Sequence, residues 1–178
     1  TPEGKGMRKA FLRAPLDFTR ISSRFNPNRR HPITGKVRAH KGIDYAAPTG
    51  TPIYAAGDGR IEFAGRKGGY GNAVVINHGR NITTLYGHMS RIGKSARNGR
   101  AVRQGAVIGY VGSTGASTGP HLHYEYRIKG AHKNPESIPL PNTEIAAAYV
   151  SEFRGQAETT LAQLEMASAV GTGRLASL

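Results

Sequence analysis

Cysteine is absent from the 178-residue sequence, which excludes disulfides, a thiolate zinc site and a cysteine nucleophile. That absence is compatible with an extracytoplasmic protein. Acidic residues are scarce: 11 Asp and Glu face 25 Lys and Arg, for a formal net charge of +14. Such a chain is expected to attract polyanions, whether nucleic acid, acidic headgroups or a carboxylate-bearing cell-wall polymer. Aromatics make up only 7%, and no zinc finger, helix-turn-helix or RNP motif is present, so nucleic acid is not expected as a partner. No apolar run approaches the roughly 18 residues of a membrane span. The sequence opens Thr1-Pro2 without an initiator Met, which suggests a soluble piece of a longer protein whose signal peptide or membrane anchor would lie further upstream.

What the chain has is glycine, 24 residues in all, and short β-branched or aromatic clusters set between turns. Segments 51–56, 60–64, 73–78, 82–86 and 107–111 are each of strand length. The expected fold class is mainly β, with a largely antiparallel sheet. Asp58-Gly59 reads as a hairpin turn between the first two segments. The stretches 50–59 and 99–109 share the turn style of biotinyl and lipoyl carriers, but no modifiable Lys occupies a hairpin tip between them. From 142 onward the sequence changes character. Ile145, Tyr149, Phe153, Ala157, Leu161 and Leu164 form one helical stripe, with Asn142 or Thr143 as N-cap, and the stripe is expected to dock on the β domain. The organisation expected is a lead-in (1–20), a β domain (21–141) and a C-terminal helix and tail (142–178).

The chemistry is concentrated in a few histidines. Gly119-Pro120-His121-Leu122-His123-Tyr124-Glu125 places two imidazoles at alternate positions of a strand, so both project from one face with Cα atoms roughly 6.6 Å apart. With seven histidines in the chain, about 0.3 such pairs arise by chance, and the pair alone is weak evidence. Its company is informative: His40-x-x-x-Asp44, Tyr86-Gly87-His88 and the Gly-rich Ser113–Pro120 segment occur in the same chain. His40 and Asp44 with one imidazole of the His-x-His pair make a set of two His and one carboxylate, which leaves a tetrahedral zinc with an open position. His31, His78 and His132 read as structural or surface residues. A His-Glu-x-x-His base is absent, so a histidine outside the ligand set must handle protons.

These motifs resemble the lysostaphin or LytM-type zinc metallopeptidases over about residues 21–135. The resemblance implies one zinc per chain, ligated by His40, Asp44 and His123, with His121 and His88 acting beside it. His121 is expected to orient or deprotonate the attacking water, and His88 to stabilise the oxyanion or return a proton to the leaving amine. Phe11–Pro15, Arg20–Pro27 and His31–Gly35 further resemble the murein DD-endopeptidases of Gram-negative envelopes. That implies a periplasmic enzyme cutting the bond between D-Ala and diaminopimelate in peptidoglycan stem peptides, with room for a regulatory or adaptor protein partner. The alternatives are a glycine-bridge endopeptidase and an inactive adaptor of the same fold that activates an amidase. Glu125, on the same strand face, is expected to hold a His tautomer or pair with an Arg rather than act as general base. The Ser113–Pro120 loop is a candidate wall for an extended peptide. Arg29, Arg30, His31 and Arg38 lie on the approach to His40 and are candidates for binding substrate carboxylates.

Overall fold

In the computed structural model the described residues are 5–29, 39–138, 142–144 and 150–173. They fall into two compact units, Ala10–Leu140 and a second made of Thr1–Lys9 with Pro141–Leu178. In the second unit, β1 (Lys5–Lys9) pairs antiparallel with the final strand, Asn142–Glu144. Asn142 and Thr143 are thus strand residues rather than the expected N-cap, and helix α1 runs from Val150 to Gly173. Ile145 and Tyr149 lie outside the described residues. Of the remaining stripe, Phe153 and Ala157 are half-buried, whereas Leu161 and Leu164 are exposed.

Among the described residues the first unit carries ten strands: β2 (Arg20–Ser23), β3 (Ile43–Ala46), β4 (Pro52–Tyr54), β5 (Gly59–Arg66), β6 (Asn72–Asn77), β7 (Ile82–Ile92), β8 (Ala101–Val102), β9 (Val107–Val111), β10 (His121–Ile128) and β11 (Ala131–Lys133). Every pairing is antiparallel, as the sequence pattern anticipates. The main path is β2-β3-β10-β7-β6-β5-β8, with β11 beside β10 and a β4-β9 pair attached to β7. Segments rich in Val, Ile and Tyr supply the centre of this sheet, where β-branched and aromatic side chains suit a pleated, buried surface.

One expected connection is absent. Asp58-Gly59 does not close a hairpin, because β4 pairs with β9 while β5 pairs with β6 and β8. Between β4 and β5 the chain crosses the core through Ala55 and Ala56, which are fully buried. Asp58 anchors the crossing: its carboxylate accepts from the Gln104 amide (2.6 Å) and its carbonyl is paired with His78 Nδ1 (2.7 Å). Gly59 lies outside the positive-φ positions, so the left-handed backbone of a tight hairpin turn is missing. The Asp-Gly pair was a turn signal by composition and an anchored crossing in fact.

Strand β10 sits between β3 and β7. Leu122, Tyr124 and Tyr126 point into the core, along with Ile43, Tyr45 and Tyr86 from the neighbouring strands. Among the described residues, the Tyr124 hydroxyl is the one buried side-chain polar atom without a hydrogen-bond partner. An unsatisfied buried hydroxyl costs about 1–3 kcal/mol, and replacing it with hydrogen removes that cost. Tyr124→Phe is therefore expected to raise stability by about 1 kcal/mol in urea denaturation, and a loss of that size would show that the hydroxyl is bonded.

Candidate metal centre and its cleft

The register of β10 builds the site. His123 lies directly opposite Asp44 of β3 and Gly87 of β7, so the imidazole and the carboxylate emerge side by side on the face away from the core. His40 precedes β3, where an isolated bridge between Asn26 and His40 holds it against the chain leading out of β2. His40, Asp44 and His123 each offer a ligand atom, and these atoms all lie within 4.8 Å of one another. The separations are 3.1 Å (His40 Nε2 to Asp44 Oδ1), 2.7 Å (His123 Nδ1 to Asp44 Oδ1) and 3.4 Å (His40 Nε2 to His123 Nδ1). Donors about 2.0–2.1 Å from a tetrahedral zinc are about 3.3 Å from each other, so this triangle is of the right size.

The second nitrogen of each ring fixes the tautomer. A carbonyl can only accept, so the 2.8 Å contact of His40 Nδ1 with the Arg24 carbonyl places the proton on Nδ1 and turns the Nε2 lone pair to the centre. His123 is held from the other side: its Nε2 meets Glu125 Oε1 at 3.1 Å, which leaves Nδ1 for the metal. His121 and His88 obey the same logic. His121 Nδ1 donates to the Gly119 carbonyl (2.8 Å) and His88 Nδ1 to the Thr114 carbonyl (2.7 Å). The Nε2 atom of each ring is thereby a proton acceptor. The two rings stand 4.7 Å apart, and His121 Nε2 is 3.7 Å from Asp44 Oδ1.

His88 arrives by a bulge. Strict alternation from core-facing Tyr86 would send His88 inward, but the β6-β7 register shifts between Asn72 and Val74, and His88 has φ 60°. The extra residue rotates His88 onto the cleft face and returns Met89 to the core. Thr114 secures the result. Its carbonyl accepts from His88, and its hydroxyl donates to the Met89 carbonyl (2.8 Å) while accepting from the Asn72 amide (2.9 Å). Gly71 and Gly115 hold positive φ of 65° and 78° where the loops they belong to meet, and a Cβ on either would collide with the other loop.

An open cleft of about 740 Å³ lies over these groups, lined by Tyr70, Ala116, Ser117 and Thr118 on one wall and by Arg29 and Lys41 among others elsewhere. All five chemistry-bearing residues expected from the sequence line it, and so does Glu125. Part of the Ser113–Pro120 loop is indeed a wall; Arg30, His31 and Arg38 lie outside the described residues. Sequence reading missed Tyr70, Thr114 and the pairing of His132 with Glu125 (3.1 Å). Tyr70 carried no motif, but His132 was detectable: the Lys129-Gly130 turn folds β11 back so that His132 faces Arg127.

Electrostatics follow from the contacts. Burial raises the Asp44 pKa, but hydrogen bonds from His123 and His40 outweigh it and hold the carboxyl well below its ordinary range. Burial lowers the His123 pKa, yet its bonds to Asp44 and Glu125 prevail and push it up to about 9. His88 is lowered, first by burial, with the Thr114 carbonyl opposing. Metal-free His123 is therefore protonated at neutral pH, and a metal must displace the Nδ1 proton. Zinc binding at pH 7.5 should release at least about one proton, with affinity rising about tenfold per unit towards pH 9. Titration calorimetry in buffers of different ionisation enthalpy measures this; a buffer-independent heat would contradict it.

Comparison with known proteins agrees with this geometry. Residues 38–135 match Peptidase family M23. The chain is 47% identical over 163 residues to the peptidoglycan DD-endopeptidase ShyC of Vibrio cholerae serotype O1, covering 91% of this chain and 37% of that protein. It is 54% identical over 153 residues to the DD-carboxypeptidase/endopeptidase Mpg of Neisseria meningitidis serogroup B, covering 84% and 35%. Among solved structures, a zinc containing peptidase from Vibrio cholerae superposes with a TM-score of 0.71 at 38% identity, over 75% of this chain and 41% of the other. The chain thus spans a little over a third of the length of the curated relatives it matches. With these matches and a donor set that suits zinc, the chain belongs to Peptidase family M23.

Proposed function

We propose that this chain is a zinc endopeptidase that hydrolyses peptide cross-links of bacterial peptidoglycan, at the bond between D-Ala and diaminopimelate. The observation that carries the reading is the convergence of three ligand atoms and two proton-accepting imidazole nitrogens in one open cleft. The choice of bond is supported by the similarity to proteins named as DD-endopeptidases. The place of action that follows is the cell envelope, outside the cytoplasm, and the partner is the stem peptide.

His40 Nε2, Asp44 Oδ1 and His123 Nδ1 would hold the zinc. Zinc bound there lowers the pKa of a water towards about 7 and polarises the scissile carbonyl. His121 Nε2 lies 3.7 Å from Asp44 Oδ1 and takes a proton from the attacking water. His88, kept neutral by burial, cannot donate to an oxyanion in its resting state, so it acts as a second acceptor and relays a proton to the leaving amine. Tyr70 is held protonated, its pKa pushed up to about 12 by burial and by the Glu125 carboxylate, and its hydroxyl and ring form the wall beside His123. Ser117 and Thr118 present polar groups along the same wall, suited to an extended peptide.

The test is to incubate the zinc-loaded chain with purified sacculi, with and without chelator, and to identify the released muropeptides by mass spectrometry. Cross-linked dimers should fall to monomers only without chelator. Failure of the zinc-replete chain to cleave would favour an adaptor role, and release of glycine-bridge products would redirect the substrate assignment. His88→Ala and His121→Ala should each lose about 100-fold or more in turnover with zinc content retained, whereas Asp44→Ala should lose the metal itself. Full turnover in either His variant would remove the proton-handling roles.

A further inference from the structure

Glu125 borders the cleft yet is only 1% exposed, a carboxylate almost wholly withdrawn from solvent. A buried carboxylate is costly unless its lone pairs are filled. Here they are. Oε1 accepts from the Tyr70 hydroxyl (2.8 Å) and meets His123 Nε2 (3.1 Å); Oε2 accepts from Arg127 Nε (2.8 Å), from the Arg127 Nη2 group and from His132 Nε2 (3.1 Å). The donors come from three places: β10 itself, the β11 strand folded against it, and the turn at Gly68–Tyr70.

We propose that Glu125 is a positioning residue for the metal centre: clamped by Arg127, His132 and Tyr70, it holds the Nε2–H of His123 and so presents Nδ1 to the zinc. The geometry leaves His123 little choice. Rotation of the ring by half a turn would withdraw the nitrogen facing Glu125 and leave a buried acceptor unmatched. Because alternate residues of a strand share a face, His121, His123, Glu125 and Arg127 form one row, from proton acceptor to ligand to positioning group to anchor. Arg127 and His132 face each other across the β10-β11 ladder, so the hairpin fixes the clamp and the clamp fixes the ligand. Tyr70 belongs both to the clamp and to the cleft wall, which ties the substrate side of the site to the ligand itself.

This inference rests on the metal site proposed above, and zinc binding tests it without reference to cleavage. Zinc dissociation constants, measured by chelator competition, should be about 10–100-fold weaker for Glu125→Ala than for the unaltered chain. Glu125→Gln keeps a carbonyl acceptor for Nε2 and should recover part of that loss. Arg127→Gln leaves the carboxylate in place with fewer donors and should fall between the unaltered chain and Glu125→Ala. The cobalt-substituted proteins add a readout that general weakening of the fold does not move: the visible spectrum should change in Glu125→Ala and stay near the parent in Glu125→Gln. Unchanged zinc affinity in Glu125→Ala would overturn the proposal, as would equal losses in Ala and Gln variants with a parental cobalt spectrum. If Glu125→Ala does not fold, parental affinity and spectrum in both Glu125→Gln and Arg127→Gln would overturn it. If the unaltered chain itself binds no zinc, the metal reading fails instead.

Discussion

The pairing of His123 with Asp44 across β10 and β3 is the constraint on which everything else in the site depends. It is a matter of register, and register is set by the other face of the strand. Leu122, Tyr124 and Tyr126 are buried in the core, each worth roughly 1.5–3 kcal/mol of apolar burial. A one-residue slip would turn them to the cleft and drive His121, His123, Glu125 and Arg127 inward. Three apolar anchors therefore specify the position of a polar row that has little packing energy of its own. The metal centre is a by-product of a hydrophobic decision, taken once along β10 and transmitted to β3 and β7 by the ladders.

His88 shows the limit of that rule. Its place in the cleft contradicts alternation and requires a left-handed backbone at a non-glycine residue, a conformation that costs of order 1–3 kcal/mol. Such a residue persists only where its surroundings over-determine it. Thr114 does so through its carbonyl and hydroxyl, and the contact between the Gly71 and Gly115 loops holds Thr114 in turn. The His88 ring and the cleft wall that follows Thr114 are thus one mechanical unit. A perturbation of the wall reaches His88 through a single residue.

Much of the site was legible in the sequence, because its groups announce themselves by type and spacing. His121 and His123 share a face by strand periodicity alone, and His40 with Asp44 completes a plausible donor set. The antiparallel β class was equally visible in the short clusters between glycines. What was not legible has no local signature. The bulge at His88 depends on the length of β7 relative to β6, Thr114 looks like any loop hydroxyl, and Tyr70 reaches Glu125 across 55 positions. Asp58-Gly59 misled because composition reports a turn without reporting which strands it joins. The strand at Asn142–Glu144 was missed because its partner, β1, lies at the other end of the chain.

The charges of half-buried Asp44 and buried Glu125 make the division of labour intelligible. Among the described residues, Asp44 forms its ion-pair contacts with three imidazoles and with no Arg or Lys, so its negative charge is available to a metal. Glu125 could have weakened the centre by adding a second negative charge next to it, since each carboxylate near a divalent cation lowers its power to polarise a carbonyl. Arg127 prevents this by pairing with Glu125 on the oxygen that does not touch His123. The carboxylate still orients the ring, but its net charge is cancelled locally. A divalent ion held by two neutral imidazoles and Asp44 would then keep a net positive charge, as the proposed electrophilic role requires. Orientation and charge, which a lone carboxylate would supply together, are separated here by one arginine two residues away on the same strand face.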